Sequence, residues 1–342
     1  MHIINILLKQ ENSCTIFIEG RIAMNLDKSA AYNNIVVMGL GGVGGYFGGM
    51  FALNITTNWR DKRDLTFIAR GAHLEAIKAN GLTLKLWKQD PVVCIPKMVT
   101  DSVLKLPYIN FLLLAVKNYD LEDAICQVEP RLNSDTVIMP LMNGVDVYDR
   151  IKELAPKSIV LPSCVYISSK IECPGVVKLQ GDIVKVYSGP DPQRPDYDGD
   201  EIQAFFQNMG LKLYWNQNPF EPIWRKFLFV SPFALVTGAT GKTMHEVWAD
   251  PGLNASVLAI MNEIVAIAAK RGVTLNSYDI DYAMRIGEHI DPAAKTSFQL
   301  DIENKKGRIE LDALGGVIVK LSNELGVSTP ETEKYLKKIV NA

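Results

Sequence analysis

The stretch "IVVMGLGGVGGYFGGMFAL", which starts at Ile35, constrains the fold more than any other part of the chain. An apolar run typical of a buried strand leads into a GxGxxG motif, and a helical pattern follows directly. In this setting the glycines permit a tight turn, close approach of a pyrophosphate and close packing of the helix, whose free amides favour phosphate. The motif therefore predicts a dinucleotide-binding loop, formed by Gly39, Leu40, Gly41, Gly42, Val43 and Gly44.

Short β-branched runs alternate with helical stretches from Asn34 to about Gln217, which is typical of a parallel sheet. Strands are predicted at "NIVVMGL", "DLTFIAR", "INFLLLAVK" and "TVIMPLMNG". After Ser158 the strands are short and separated by turn residues, so we expect antiparallel hairpins that close the far side of this sheet. After Pro219 the pattern is helical.

These patterns predict an α/β protein of two domains, in line with a length of 342 residues and roughly 150 residues per domain. We expect an N-terminal extension over 1–33, a Rossmann-type NADP-binding domain over 34–217 and an all-helical substrate domain over 218–342. Met24 is an alternative start within the extension. A cleft between two such domains is the expected substrate site.

Composition argues against several classes of function. A net charge of −2 lacks the basic footprint of a nucleic-acid-binding protein. We find no continuous apolar stretch near the roughly 18 residues that a membrane span needs. The five cysteines form no CxxC pair and the four histidines are scattered, which argues against a metal site and favours reduced thiols. We therefore expect a cytoplasmic protein that acts on a small molecule, with no nucleic-acid, membrane or metal partner.

The second predicted strand ends at Arg70, where NAD-binding proteins of this type carry an acidic residue that binds the ribose. An arginine presents a planar fork suited to a 2′-phosphate. We therefore expect NADP(H) as the cofactor. Lys117, which ends a later strand, is open to two interpretations: a second positive charge at the cofactor edge, or a solvated lysine.

Several stretches occur in an order that resembles the ketopantoate reductases (2-dehydropantoate 2-reductases): "GLGGVGGYFGG", "IARGAHLEAIKANGL", "LLLAVKNYDLEDA", "LMNGVD", "PIWRKFL" and "SFQLDIENKKGRIELDALGGVIVKLSNELGVSTP". The resemblance runs from about residue 34 to the C-terminus. It implies reduction of a 2-oxo acid, 2-dehydropantoate, to (R)-pantoate with NADPH, in the synthesis of pantothenate and coenzyme A. It also implies a C-terminal domain of the 6-phosphogluconate dehydrogenase type.

The resemblance further implies roles for individual residues. Lys226 of "IWRKFL" is the implied catalytic proton donor, which suits a reaction that leaves negative charge on a carbonyl oxygen. Asn143 is expected beside the nicotinamide, where it positions the lysine and the substrate. Glu310 is expected to accept a hydrogen bond from the substrate hydroxyl, and Ser297 to meet its carboxylate. Asp301 is expected to be structural.

One departure from the family pattern leaves alternatives open. Val230 and Ala234 stand one and two helical turns after the lysine, where the family has asparagines. Ser231 or Thr237 could replace them if Pro232 shifts the helix register. The alternatives are a related NADP-dependent reductase of another 2-oxo acid and a non-catalytic NADP(H)-binding sensor. Members of the family occur as monomers and dimers, and between the two we favour a homodimer.

Overall fold

The computed structural model of the protein describes residues 32–58 and 61–341. The expected N-terminal extension, with Met24 and Cys14, lies outside this range except for its last two residues. The strands are β1 (Asn34–Met38), β2 (Asp64–Ile68), β3 (Leu82–Lys85), β4 (Val92–Cys94), β5 (Met98–Thr100), β6 (Phe111–Leu114), β7 (Val137–Pro140), β8 (Ile159–Val160), β9 (Ser163–Cys173), β10 (Val176–Ser188) and β11 (Leu213–Trp215).

Helices flank the strands and then form the C-terminal part of the chain. They are α1 (Gly42–Thr57), α2 (Gly71–Asn80), α3 (Leu121–Val128), α4 (Val147–Leu154), α5 (Gly199–Asn208), α6 (Phe220–Thr240), α7 (Met244–Ala249), α8 (Pro251–Lys270), α9 (Ser277–His289), α10 (Ser297–Glu303), α11 (Val317–Leu325) and α12 (Pro330–Val340). A single π-helical segment, Asp312–Gly316, precedes α11 within the described chain.

The first sheet is parallel throughout, with the strand order β5-β2-β1-β6-β7-β8. Its central strands are almost entirely buried, as expected when helices cover both faces of a parallel sheet. The carboxyl ends of β1, β6 and β7 lie at one edge, where such sheets bind ligands. The parallel sheet and the helical C-terminal part confirm the predicted fold class.

The expectation of antiparallel hairpins after Ser158 was correct for the pairing of β9 with β10 and wrong for the place of this hairpin. β9 and β10 form an antiparallel hairpin, but the hairpin belongs to a second sheet with the order β11-β10-β3-β4, and only β8 extends the first sheet. Glycines of α1 make room for this second sheet. A Cβ atom on Gly45 would lie 2.6 Å from the Val177 side chain, and one on Gly49 would lie 3.1 Å from Leu84.

The helical part is built around α6, which contacts α8, α9, α10 and α12. Gly241, with φ of +71°, ends this helix in the left-handed conformation. By length and composition alone α8 could cross a membrane, a test that the core helix of a globular protein also passes. In the fold, Val257, Ile260 and Ile264 of α8 are fully buried, as in the core helix of a globular domain.

A buried ion pair fixes α4, which follows the "MNG" turn, against β8. Lys152 Nζ lies 2.9 Å from a carboxylate oxygen of Asp191, and this carboxylate also accepts hydrogen bonds from the Tyr148 hydroxyl (2.7 Å) and the Val160 amide (2.9 Å). Burial alone would raise the pKa of Asp191, but these hydrogen bonds lower it below its ordinary value. The pair therefore holds a charged carboxylate inside the protein.

We predict that Asp191→Asn destabilises the protein by about 3 kcal/mol, because Lys152 is left as an uncompensated buried charge. Urea unfolding followed by circular dichroism measures the change. Asp196→Asn, a substitution of an exposed carboxylate, is the matched control and should stay within about 0.5 kcal/mol. The folded-state pKa of Asp191 is lowered. Its contribution to the free energy of unfolding is therefore complete above pH 3.8 and is lost as the pH falls through the lowered pKa. Equal stability of the two variants would contradict this role.

Candidate active site

Lys226 and Asn143 meet in a cleft between α6 and the turn that follows β7. Lys226 Nζ donates a hydrogen bond of 2.9 Å to Asn143 Oδ1, although 83 residues separate the two in the chain. Helical spacing places Ile223 and Val230, one turn before and one turn after the lysine, on its side of α6. The cavity beside the lysine has a volume of about 10 Å³ and is lined by Met142, Asn143, Gly144, Cys164, Ile223, Lys226, Phe227, Val230 and Leu314.

The surroundings of the lysine are mostly apolar. Burial lowers the pKa of Lys226 below its ordinary value of 10.5, and the nearby carboxylate of Glu310 opposes this only in part. Burial also raises the pKa of the Cys164 thiol to about 12, so this cysteine is a neutral wall of the cleft at physiological pH. Lys226 is therefore a stronger acid than an exposed lysine.

Glu310 lies next to this cleft, but its closest cation is Lys117. The Lys117 ammonium lies 2.8 Å from Glu310 and 3.1 Å from Asp301, and Lys306 binds the other oxygen of Asp301 at 2.6 Å. Burial would lower the pKa of Lys117, but the two carboxylates raise it, so the lysine stays charged. Lys117 thus joins the end of β6 to the helical domain. The sequence left open whether Lys117 is a charge at the cofactor edge or a solvated lysine. Its two ion pairs argue against the solvated lysine.

Asn118 is a site residue that our sequence analysis did not identify. Its backbone amide donates to Glu310 (3.2 Å), and its side-chain amide donates to the Asn143 backbone carbonyl (2.5 Å). Arg150 donates in turn to the side-chain and backbone oxygens of Asn118. Asn118 therefore connects Glu310 with the turn that holds Asn143. Its position directly after β6, beside the end of β7, could have identified it as a site residue, because such sheets bind ligands at the carboxyl ends of their strands.

Not every predicted substrate residue reaches the cavity. Ser297 is exposed in the first turn of α10 and is not part of the cavity lining. Val230 lines the cavity, whereas Ala234 is buried in the helical core. Pro232 does not redirect its neighbours, because Ser231 donates to the Leu314 carbonyl (2.6 Å) and Thr237 to the Ala234 carbonyl (3.3 Å), both fully buried. Neither hydroxyl replaces the missing amides.

The glycine loop has the geometry that a dinucleotide requires. Gly39 has φ of +93°, and a Cβ atom there would lie 2.6 Å from the Ala115 backbone. A Cβ atom on Gly44 would lie 2.1 Å from the Gly39 carbonyl oxygen, whereas one on Gly41 would meet nothing within 4 Å. Helix α1 starts at Gly42 without a side-chain cap or an acidic residue in its first turn. Its first amides are therefore available to an anion.

Arg70 lies at the end of β2, which is hydrogen-bonded to β1, and it precedes the first residue of α2. The residue is exposed, and within residues 32–58 and 61–341 no carboxylate forms an ion pair with its guanidinium. A free cation here, with no acid in its place, fits a dinucleotide that carries a 2′-phosphate. The described residues contain no group of three histidine, cysteine, aspartate or glutamate side chains that could hold a metal ion.

Comparison with known proteins agrees with this architecture. The family model "Ketopantoate reductase PanE/ApbA" matches residues 35–193, and the model "Ketopantoate reductase PanE/ApbA C terminal" matches residues 220–340. A 2-dehydropantoate 2-reductase of Mesorhizobium japonicum is 27% identical over 331 residues, which cover 88% of this chain and 95% of the relative.

Solved structures share the fold. A 2-dehydropantoate 2-reductase from Porphyromonas gingivalis W83 superimposes with a TM-score of 0.74 at 28% identity and covers 90% of this chain and 99% of its own. D-mandelate dehydrogenase, solved with NADH and anilino(oxo)acetate, shares the fold with a TM-score of 0.76 at 20% identity, over 90% of this chain and 97% of its own. Because the two family models together match most of the sequence, the chain belongs to the PanE/ApbA ketopantoate reductase family of oxidoreductases.

Proposed function

We propose that this protein reduces the ketone of 2-dehydropantoate to (R)-pantoate with NADPH, in the cytoplasmic synthesis of pantothenate and coenzyme A. In this proposal residues 34–217 bind the cofactor and residues 218–342 bind most of the substrate. The observation that carries the proposal is the 2.9 Å hydrogen bond between Lys226 and Asn143 at the carboxyl edge of the first sheet. It positions an acidic ammonium at the edge where a sheet of this type binds its cofactor.

Bound NADPH supplies the hydride that reduces the ketone carbon. The residues of the chain then have to stabilise and protonate the oxygen. Lys226 stabilises the negative charge that develops on this oxygen and donates a proton to it, which its lowered pKa favours. Asn143 accepts a hydrogen bond from the ammonium and so fixes its direction. In the proposal the loop from Gly39 to Gly44 binds the pyrophosphate and Arg70 binds the 2′-phosphate.

Glu310 has the proposed role of accepting a hydrogen bond from the substrate hydroxyl. Its carboxylate already accepts from Lys117 and from the Asn118 amide, so the substrate has to share it with these two donors. A cavity of about 10 Å³ holds roughly one water molecule, which is less than a 2-oxo acid needs. Substrate binding therefore involves more of the cleft than this cavity. In the proposal Ser297, which is exposed on α10, meets the substrate carboxylate.

A second candidate function is the reduction of another 2-oxo acid with a larger apolar side chain. The specific observation that favours it is the apolar wall formed by Ile223, Phe227, Val230 and Leu314, where Val230 offers no amide to a hydroxyl group. A site that lacks a polar group discriminates weakly in favour of a hydroxylated substrate. The fold does not choose between these substrates.

We predict that Lys226→Ala lowers kcat/KM for 2-dehydropantoate by roughly 10² to 10⁴, because the proton donor is lost. NADPH affinity should remain unchanged, since the lysine belongs to the helical domain. Steady-state NADPH oxidation, measured with a panel of 2-oxo acids, tests the rate, and calorimetry tests the affinity. The matched control is Lys242→Ala, which removes an exposed lysine just after the same helix.

An undiminished rate in Lys226→Ala would contradict the proposed mechanism. If the wild-type protein instead reduces only 2-oxo acids with larger apolar side chains, the second candidate function is correct. Tight NADPH binding without turnover of any 2-oxo acid would identify a non-catalytic binding protein.

We also predict that Arg70→Gln weakens NADPH binding by roughly 10- to 100-fold and leaves NADH binding unchanged, because only NADPH carries the 2′-phosphate. This range corresponds to the loss of about 1.5–3 kcal/mol from hydrogen bonds to a charged group. Calorimetric titration with both cofactors measures the change. Arg285→Gln, on the exposed side of α9, is the control and should bind both cofactors normally. An equal loss for NADPH and NADH would contradict a phosphate contact.

A further inference from the structure

A second cavity of about 190 Å³ lies on the other flank of α6, between this helix, the β9–β10 hairpin and α9. Arg225 and Phe229 of α6 line it, whereas their neighbours Lys226 and Val230 line the catalytic cleft. An apolar cavity of roughly 150 Å³ is large enough to bind benzene. The second cavity therefore has room for a small ring compound, and the cleft beside the lysine, at about 10 Å³, does not.

Four aromatic side chains line this cavity, among aliphatic and polar ones that include Asp279. Tyr166 and Tyr187 contribute adjacent rings, with centroids 5.9 Å apart and planes at 80°, and Phe229 and Tyr282 add rings from α6 and α9. Tyr187 also stacks on Tyr214 outside the cavity at 5.1 Å, which supports its orientation. Aromatic walls of this kind favour a planar ring through edge-to-face and offset contacts.

The cavity also carries one positive charge without a carboxylate partner. Arg225 is neutralised, because Asp279 lies 2.9 Å from its Nε and Glu221 lies 3.5 Å from its terminal nitrogen. Lys185 is different: its ammonium faces the Tyr214 ring at 5.6 Å, and no carboxylate of the described chain lies within ion-pair distance. An anionic group in the cavity would supply the missing partner.

A hydrogen-bond donor lies on the same face of the hairpin as this charge. Tyr166 is paired with Lys185 across the hairpin, so the two side chains share one face of the sheet. No residue within the described ranges accepts a hydrogen bond from the Tyr166 hydroxyl. Burial raises the pKa of this hydroxyl well above its ordinary value, so it remains a donor. A carboxylate can accept from the tyrosine with one oxygen and pair with the lysine through the other.

We propose that this cavity is a second ligand site, distinct from the catalytic cleft, which binds a small aromatic carboxylate. The ring packs among Tyr187, Phe229 and Tyr282, and the carboxylate binds Lys185 and Tyr166. The proposal does not rest on the proposed function, because it concerns binding on a different flank of α6 and needs no turnover.

The test is calorimetric titration of the full chain with benzoate and with benzamide, its neutral counterpart. We expect saturable binding of one benzoate per chain and weaker binding of benzamide. Lys185→Gln and Tyr166→Phe should each weaken benzoate binding by about tenfold, as the loss of a charge-assisted hydrogen bond predicts. Lys212→Gln is the matched control, because Lys212 contacts the same Tyr214 ring at 4.4 Å but does not line the cavity. It should bind benzoate normally, as should Lys226→Ala.

Three results would overturn the proposal. The first is the absence of saturable benzoate binding at millimolar concentration. The second is unchanged binding in both Lys185→Gln and Tyr166→Phe, with circular dichroism showing that both variants are folded. The third is loss of binding in Lys226→Ala, which would place the ligand in the catalytic cleft. Because all readouts are binding measurements, their outcome is independent of whether the protein reduces 2-dehydropantoate.

Discussion

The hydrogen bond from Lys226 to Asn143 is the interaction on which the rest of the site depends, because it joins the helical domain to the carboxyl edge of the parallel sheet. The backbone carbonyl of Asn143 accepts a hydrogen bond from the side chain of Asn118, and the backbone amide of Asn118 binds Glu310. The Lys117–Glu310 ion pair joins the same two parts of the chain next to this cleft. A lysine, an amide and a carboxylate from distant parts of the chain thus meet through one connected set of hydrogen bonds.

The scaffold that carries this site depends on close packing around the glycine helix. Gly39 and Gly44 bring β1, the loop and α1 together, while Gly45 and Gly49 allow the second sheet to pack against the outer side of the same helix. One short glycine-rich segment therefore serves two purposes. Its first residues leave amides available for a phosphate, and its later residues anchor the hairpin whose strand β9 contributes Cys164 to the cleft and Tyr166 to the second cavity.

Much of this arrangement could be predicted from the sequence, because strand and helix periodicity and the GxGxxG motif are local signals. The parallel sheet, the helical C-terminal part and the family were predicted correctly. The second sheet was not, since pairing between β10 and β3 joins residues about 90 positions apart and leaves no local pattern. The links made by Asn118 and Lys117, and the position of Ser297 outside the cavity, depend on tertiary packing in the same way.

The catalytic cleft holds a lysine whose acidity is raised by burial. The most direct test of this raised acidity is a ¹³C NMR titration of the full chain labelled at lysine Cε, with the Lys226 resonance assigned by its loss in Lys226→Arg. We expect this one resonance to titrate with a pKa below 10.5, separately from the resonances of the exposed lysines. A pKa at or above 10.5 would contradict it, because Lys226 would then be an ordinary solvated lysine.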